Sequence, residues 1–199
     1  MSINVIGITG PSGAGKSLFC NFLNKDNVPM IDADKLYHSM LVSGSPCTAA
    51  IVKEFGNGVL DEKGCPDRKK LSDIVFSSPE KLIRLNTVVL GFVLDEIRSL
   101  ISEAEQKGYK NILIDAPTLI ESGFHLECNY VVSIIAPKEE RIKRICLRDG
   151  IELSRARARV EAQKADEFYI ENSDFVLVND SDSKVFKEKA QKVCAEIVK

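Results

Sequence analysis

The segment Gly10-Pro11-Ser12-Gly13-Ala14-Gly15-Lys16-Ser17 constrains this chain more than any other, because it fits the pattern G-x-x-x-x-G-K-[ST]. Before it, residues 4–9 form an apolar run with strand character. After it, residues 16–24 carry Leu18, Phe19, Phe22 and Leu23 at helical spacing. A strand, a glycine-rich turn and a helix in this order make an anion cradle. The glycines let successive backbone N–H groups turn inward, and the helix presents its positive end to the same anion. In this frame Ser12, Gly13, Ala14, Gly15, Lys16 and Ser17 hold the phosphates of a nucleotide. Lys16 neutralises charge moving onto the β–γ bridge oxygen, and the Ser17 hydroxyl is placed to ligate Mg²⁺. ATP and Mg²⁺ are the cofactors implied. A glycine-rich turn that binds nothing is the competing reading, and the flanking strand and helix weigh against it.

The rest of the chain alternates strand and helix patterns. Short apolar runs at 28–31, 111–114, 130–136 and 175–178 read as further strands. Helical patterns fall at about 35–42, 46–55, 79–107 and from about 182 to the C-terminus. Gly91 interrupts the longest of these and offers a point of division into two helices. The expected class is α/β: a P-loop NTPase-type, doubly wound parallel sheet of about five strands with helices on both faces.

Composition excludes several other classes. The 199 residues are 44% hydrophobic and 28% charged, as in globular domains, and no apolar run is long enough to cross a bilayer. The N-terminus lacks a basic region and its apolar stretch soon meets Gly10 and Pro11, so a signal peptide is not expected and a cytoplasmic location is. A formal charge of −2 gives no general attraction to nucleic acid or to anionic lipid. The six cysteines contain no Cys-x-x-Cys pair and there are two histidines, so neither a zinc site nor a disulfide framework is indicated.

Three further groups of residues carry possible chemistry. Asp32 and Asp34 follow the second predicted strand, where the carboxyl ends of a doubly wound sheet line a ligand crevice. One of them can take a proton from an acceptor hydroxyl, or either can simply cap the following helix. Asp115 ends the apolar run Ile112-Leu113-Ile114, a placement that lets a carboxylate hold Mg²⁺ with Ser17; an ordinary turn aspartate is the alternative. The third is a basic stretch from Lys138 to Lys164. Its interleaved acids suggest solvated helices, and from it Arg144 or Arg148 is the expected cation over the transferring phosphoryl group.

The order of these segments resembles the dephospho-CoA kinase family over nearly the whole chain. The resemblance runs from the P-loop through Val28-Pro29-Met30-Ile31-Asp32-Ala33-Asp34 and Ala50-Ile51-Val52-Lys53-Glu54-Phe55-Gly56. It continues through Asp67-Arg68-Lys69-Lys70-Leu71, Ile74-Val75-Phe76, Asp115-Ala116-Pro117-Thr118-Leu119-Ile120-Glu121, Arg144 to Asp149, Arg159-Val160-Glu161-Ala162-Gln163 and Ser173 to Asn179. It implies transfer of the ATP γ-phosphoryl group to the ribose 3′-hydroxyl of a small-molecule acceptor, dephospho-CoA. Asp34 is then the general base, and Asp32, Asp34 and Arg68 contact the acceptor. Lys16 and Arg148 complete the catalytic set, with Arg148 on a lid. The expected organisation is a core of about 1–34, 109–136 and 173–199, a helical acceptor-binding subdomain of about 35–108 and a helical lid of about 137–165. Asn179 is expected near adenine.

Two departures stand out. The family's Leu-His-Pro is replaced by Val89-Leu90-Gly91, and Pro11-Ser12 stands where the family commonly has Gly-Ile. A nucleoside or nucleotide kinase and a non-catalytic nucleotide-binding paralogue therefore remain as rival readings. A GTPase-type switch is disfavoured, because the string Asn24-Lys25-Asp26-Asn27 lacks the final Asp of the guanine-reading motif.

Overall fold

The computed structural model describes residues 2–23, 28–75, 78–180 and 182–198. The Asn24–Asn27 string and Phe76 lie outside them. The order begins with β1 (Asn4–Thr9), α1 (Lys16–Leu23), β2 (Met30–Asp32), α2 (Ala33–Met40), α3 (Pro46–Phe55) and α4 (Arg68–Val75). It continues with α5 (Pro79–Gln106), β3 (Asn111–Asp115), β4 (Tyr130–Ile135), α6 (Lys138–Asp149), α7 (Leu153–Glu161), α8 (Asp166–Glu171), β5 (Phe175–Val178) and α9 (Ser183–Ile197).

The five strands form one sheet in the order β2-β3-β1-β4-β5. β1 pairs in parallel with β3 on one side and β4 on the other, and β4 pairs in parallel with β5. Residues buried on both faces explain why β1 and β4 read as continuous apolar runs rather than alternating ones. Successive side chains then serve different layers. Ile134 and Leu177 join Ile6, Ile8, Phe19, Leu23 and Phe186 in one core cluster, while their neighbours Ile135 and Val176 pack with Ile120 and Tyr169 in another. This two-sided burial is the doubly wound α/β architecture expected from the sequence.

Chain segments group into two compact units: Met1–Ile31 with Ile101–Lys199, and Asp32–Leu100. The first contains the sheet core and α6 to α9. The second is helical. Within it Ser45 caps α3 by accepting from the Thr48 N–H, with Pro46 in the first turn. Asp67 accepts from the N–H groups of Lys70 and Lys69 at the start of α4, and these bonds hold its carboxyl below the usual carboxylate range.

Gly91 does not divide the long helical pattern. α5 runs unbroken for 28 residues, since the apolar positions Leu85, Val89, Val93 and Ile97 are buried along one face and carry the helix through the glycine. A β-carbon at Gly91 would meet nothing within 4 Å. Gly91→Ala is therefore expected to raise stability by roughly 0.5–1 kcal/mol through backbone entropy, read as a higher urea midpoint at unchanged slope.

Candidate active site

The sheet register sets the site. Asp115 lies opposite Ile8 across the β1–β3 pairing, so the carboxyl end of β3 runs beside the loop that leaves β1. Lys16, the first residue of α1, donates from Nζ to Asp115 Oδ1 at 2.7 Å. Both side chains are largely covered, 16% and 14% exposed, so the ion pair is worth more than a surface one. Ser17 is exposed beside it.

A trans peptide points its C=O and N–H in opposite directions, so fixing a carbonyl also aims the next N–H. In the loop, the Ser12 carbonyl accepts from Arg141 Nε at 3.0 Å, and the Gly13 and Ala14 carbonyls accept from Arg144 Nη1, each at 3.3 Å. Asn179 Nδ2 donates to the Ala14 carbonyl as well, at 2.7 Å. These bonds turn the N–H groups of Gly13 and Gly15 away from α6. Among the described residues neither finds an acceptor within the chain, and the same holds for the N–H groups of Lys16 and Ser17 in the first turn of α1. The four donors lie in the loop and the first turn of α1, at the positive end of that helix's dipole.

Two glycines are required by this packing. Gly13 has φ +81°, and a β-carbon on it would lie 2.7 Å from the Arg141 carbonyl oxygen. Gly15 has φ +109°, and a β-carbon there would collide with Asn179 Nδ2.

The basic stretch departs from expectation. Arg141 is 1% exposed rather than solvated, and its Nη2 also donates to Gln163 Oε1. Arg144 is committed to loop carbonyls and to the Asn179 carbonyl at 3.2 Å, so it is not an open phosphoryl-facing cation. Asn179 is 6% exposed, and its amide donates to the loop at the Ala14 carbonyl. Arg148 is exposed, with Nη2 3.4 Å from Ser12 Oγ, and Asp149 accepts from its Nε at 2.7 Å and from Arg159 Nη1 at 2.8 Å. Hydrogen bonding by Arg148 first, with Arg159 adding to it, keeps the Asp149 carboxyl below its ordinary range. Sequence reasoning missed Arg141 and Gln163 as site residues. The signal was the recurrence of arginine at 141, 144 and 148, which places all three on one face of a helix.

The second unit carries the other predicted residues. α2 begins at Ala33, two residues before the expected start, so Asp32 is its cap, accepting from the Lys35 N–H at 3.0 Å and pairing with Lys35 Nζ at 2.8 Å. Asp34 sits in the first turn, exposed, and among the described residues its carboxylate has no hydrogen-bond or ion-pair partner. Arg68 is exposed at the start of α4. Its charge partly offsets the burial and the neighbouring Cys47 that push the Tyr37 hydroxyl up. A cavity of about 460 Å³ in this unit is lined by Leu36, Met40, Val42, Cys47, Phe92 and Asp95, among others.

Comparison with known proteins places this geometry in a family. The family model described as dephospho-CoA kinase matches residues 4–185. The chain belongs to the dephospho-CoA kinase family. It is 36% identical over 177 residues to the dephospho-CoA kinase of Dehalococcoides mccartyi, covering 89% of each chain. With that of Fusobacterium nucleatum it is 34% identical over 197 residues, 99% of this chain and 100% of the other. Among solved structures, the dephospho-CoA kinase from Campylobacter jejuni superposes with TM-score 0.73 at 28% identity, covering 98% of this chain and 96% of that one. Shikimate kinase from Acinetobacter baumannii, at TM-score 0.53 and 18% identity with 98% and 93% coverage, shares the fold.

In this dephospho-CoA kinase family member, Gly13→Ala is expected to weaken ATP binding at least about tenfold, because the added carbon forces the loop off Arg141. Calorimetric titration with ATP reads the effect, and an unchanged affinity would show that the loop tolerates the carbon.

Proposed function

We infer that the chain transfers the γ-phosphoryl group of ATP to the ribose 3′-hydroxyl of dephospho-CoA, giving CoA and ADP, the last step of CoA biosynthesis. The observation that carries this reading is a glycine-rich loop with four N–H groups unpartnered among the described residues, beside the Lys16–Asp115 pair, in a chain of this family. The cavity of the second unit has the size of a small-molecule site, which supports assigning about 35–108 to the acceptor. The missing His-Pro at Leu90-Gly91 leaves α5 continuous, so the departure does not unfold that region.

In the proposed mechanism, the N–H groups of Gly13, Gly15, Lys16 and Ser17 bind the β- and γ-phosphates, and Lys16 exchanges Asp115 for phosphate oxygen. Mg²⁺ fits the donors present, because the Ser17 hydroxyl and the Asp115 carboxylate are hard oxygen ligands. Among the described residues no cluster of three metal-binding side chains occurs, as suits an ion completed by phosphates and water. When bound, it supplies charge neutralisation across the transferring group. Asp34, whose carboxylate has no partner among the described residues, orients the acceptor hydroxyl and takes its proton, with Asp32 and Arg68 assisting acceptor binding. Arg148 covers the γ-phosphoryl group as the outer part of the 137–165 segment closes, and closure keeps water from acting as acceptor. The enzyme works in the cytoplasm on this reading. Among the described residues no helix is long and apolar enough to cross a membrane.

ADP release with Mg-ATP, compared for dephospho-CoA, adenosine, uridine and GMP, is expected to rise with dephospho-CoA alone. Stimulation by a nucleoside or nucleotide instead would refute the acceptor assignment. Lys16→Ala is expected to lower kcat/KM by at least about a hundredfold. Asp34→Asn should lower kcat by about a hundredfold or more while ATP affinity stays within about twofold, and near-normal turnover would remove Asp34 as the base.

A further inference from the structure

Ser12 is held at every polar atom it has. Its carbonyl accepts from Arg141 Nε at 3.0 Å, its hydroxyl lies 3.4 Å from Arg148 Nη2, and its N–H donates to Gln163 Oε1 at 3.2 Å. Gln163 is joined in turn to Arg141 Nη2 by a short hydrogen bond. A closed ring results: Ser12 N–H to Gln163, Gln163 to Arg141, and Arg141 back to the Ser12 carbonyl. Its members come from the P-loop, from α6 and from the turn after α7, all within the first unit.

A guanidinium that is 1% exposed is costly unless its N–H groups are satisfied, and among the described residues the acceptors are neutral oxygens rather than a paired carboxylate. Burial accordingly pulls the Arg141 pKa down, with Asp166 and Tyr169 opposing. Retaining a buried cation for this ring, in a place where an apolar side chain would pack, calls for a reason beyond stability. The peptide geometry supplies one. With the Ser12 carbonyl fixed on Arg141, the Gly13 N–H is fixed in the opposite direction, toward the anion site. With the Ser12 N–H taken by Gln163, that donor is withdrawn from the phosphates.

We propose that Arg141 and Gln163 are positioning residues for phosphoryl transfer, a ring around the Ser12 peptide that sets which loop N–H groups face the nucleotide phosphates. The inference rests on the ATP-binding part of the proposed function and is independent of the acceptor. Gln163 is the informative member because it is only half-buried, whereas loss of Arg141 also empties a core position. Gln163→Glu keeps the acceptor oxygen and adds a charge partner for Arg141. Gln163→Ala removes the acceptor.

The test is calorimetric titration of the full chain with ATP, without acceptor, alongside steady-state kinetics and thermal melting. Gln163→Ala is expected to weaken ATP binding about tenfold, as for loss of one hydrogen bond to a charged group and one to backbone, while KM for dephospho-CoA stays within about twofold. Gln163→Glu should restore ATP affinity to within about threefold of the parent. ATP affinity unchanged in Gln163→Ala would overturn the proposal. So would a Glu variant as impaired as the Ala variant, or a loss of ATP affinity that only tracks a lowered melting temperature in both. Because ATP binding is read directly, failure of dephospho-CoA as acceptor leaves this test intact.

Discussion

The catalytic end of this molecule depends on how the P-loop carbonyls are satisfied. Attention normally goes to the N–H groups that face a phosphate, but each belongs to a peptide whose carbonyl must point the other way and find a donor. Here Arg141, Arg144 and Asn179 are those donors. The arginines of α6 therefore neutralise loop carbonyl dipoles and, through the planar peptides, constrain the direction of the N–H groups that follow. The sheet provides the alignment. β4 leads into α6 and β5 ends at Val178, one residue before Asn179, and both strands lie on the same side of β1.

Preorganisation of this kind is what electrostatic catalysis requires, since dipoles already oriented need no rearrangement when charge moves in the transition state. The dihedral angles at Gly13 and Gly15 are part of the same arrangement. Their β-carbon positions are occupied by the Arg141 backbone and the Asn179 amide, so side-chain absence at the loop and side-chain presence behind it are matched.

Much of the fold was legible because burial on both faces leaves a plain mark. β1 and β5 coincide with their apolar runs, and the P-loop pattern located the cradle between a strand and a helix. The start of α2 was harder, since Asp32 and Asp34 are both good caps and only the backbone decides between them. Gly91 misled because local propensity speaks against helix there, while the buried stripe from Leu85 to Ile97 overrides it. Arg141 was hidden for another reason. Glu139, Glu140 and Asp149 flank the arginines, so the segment reads as a solvated charge mixture unless helical phase is followed residue by residue. Gln163, a neutral side chain remote in sequence from Ser12, gave no local sign of its contact.

The Lys16–Asp115 pair has a bearing on discrimination among anions. Since the lysine already has a covered counter-ion, a monatomic anion such as chloride offers it one charge in exchange for another and gains little. A polyphosphate also engages the N–H groups alongside, and so outcompetes the carboxylate where a lone ion does not. On the proposed phosphate-binding role of Lys16, the built-in carboxylate is a threshold that a ligand with several phosphates crosses more readily than a simple anion.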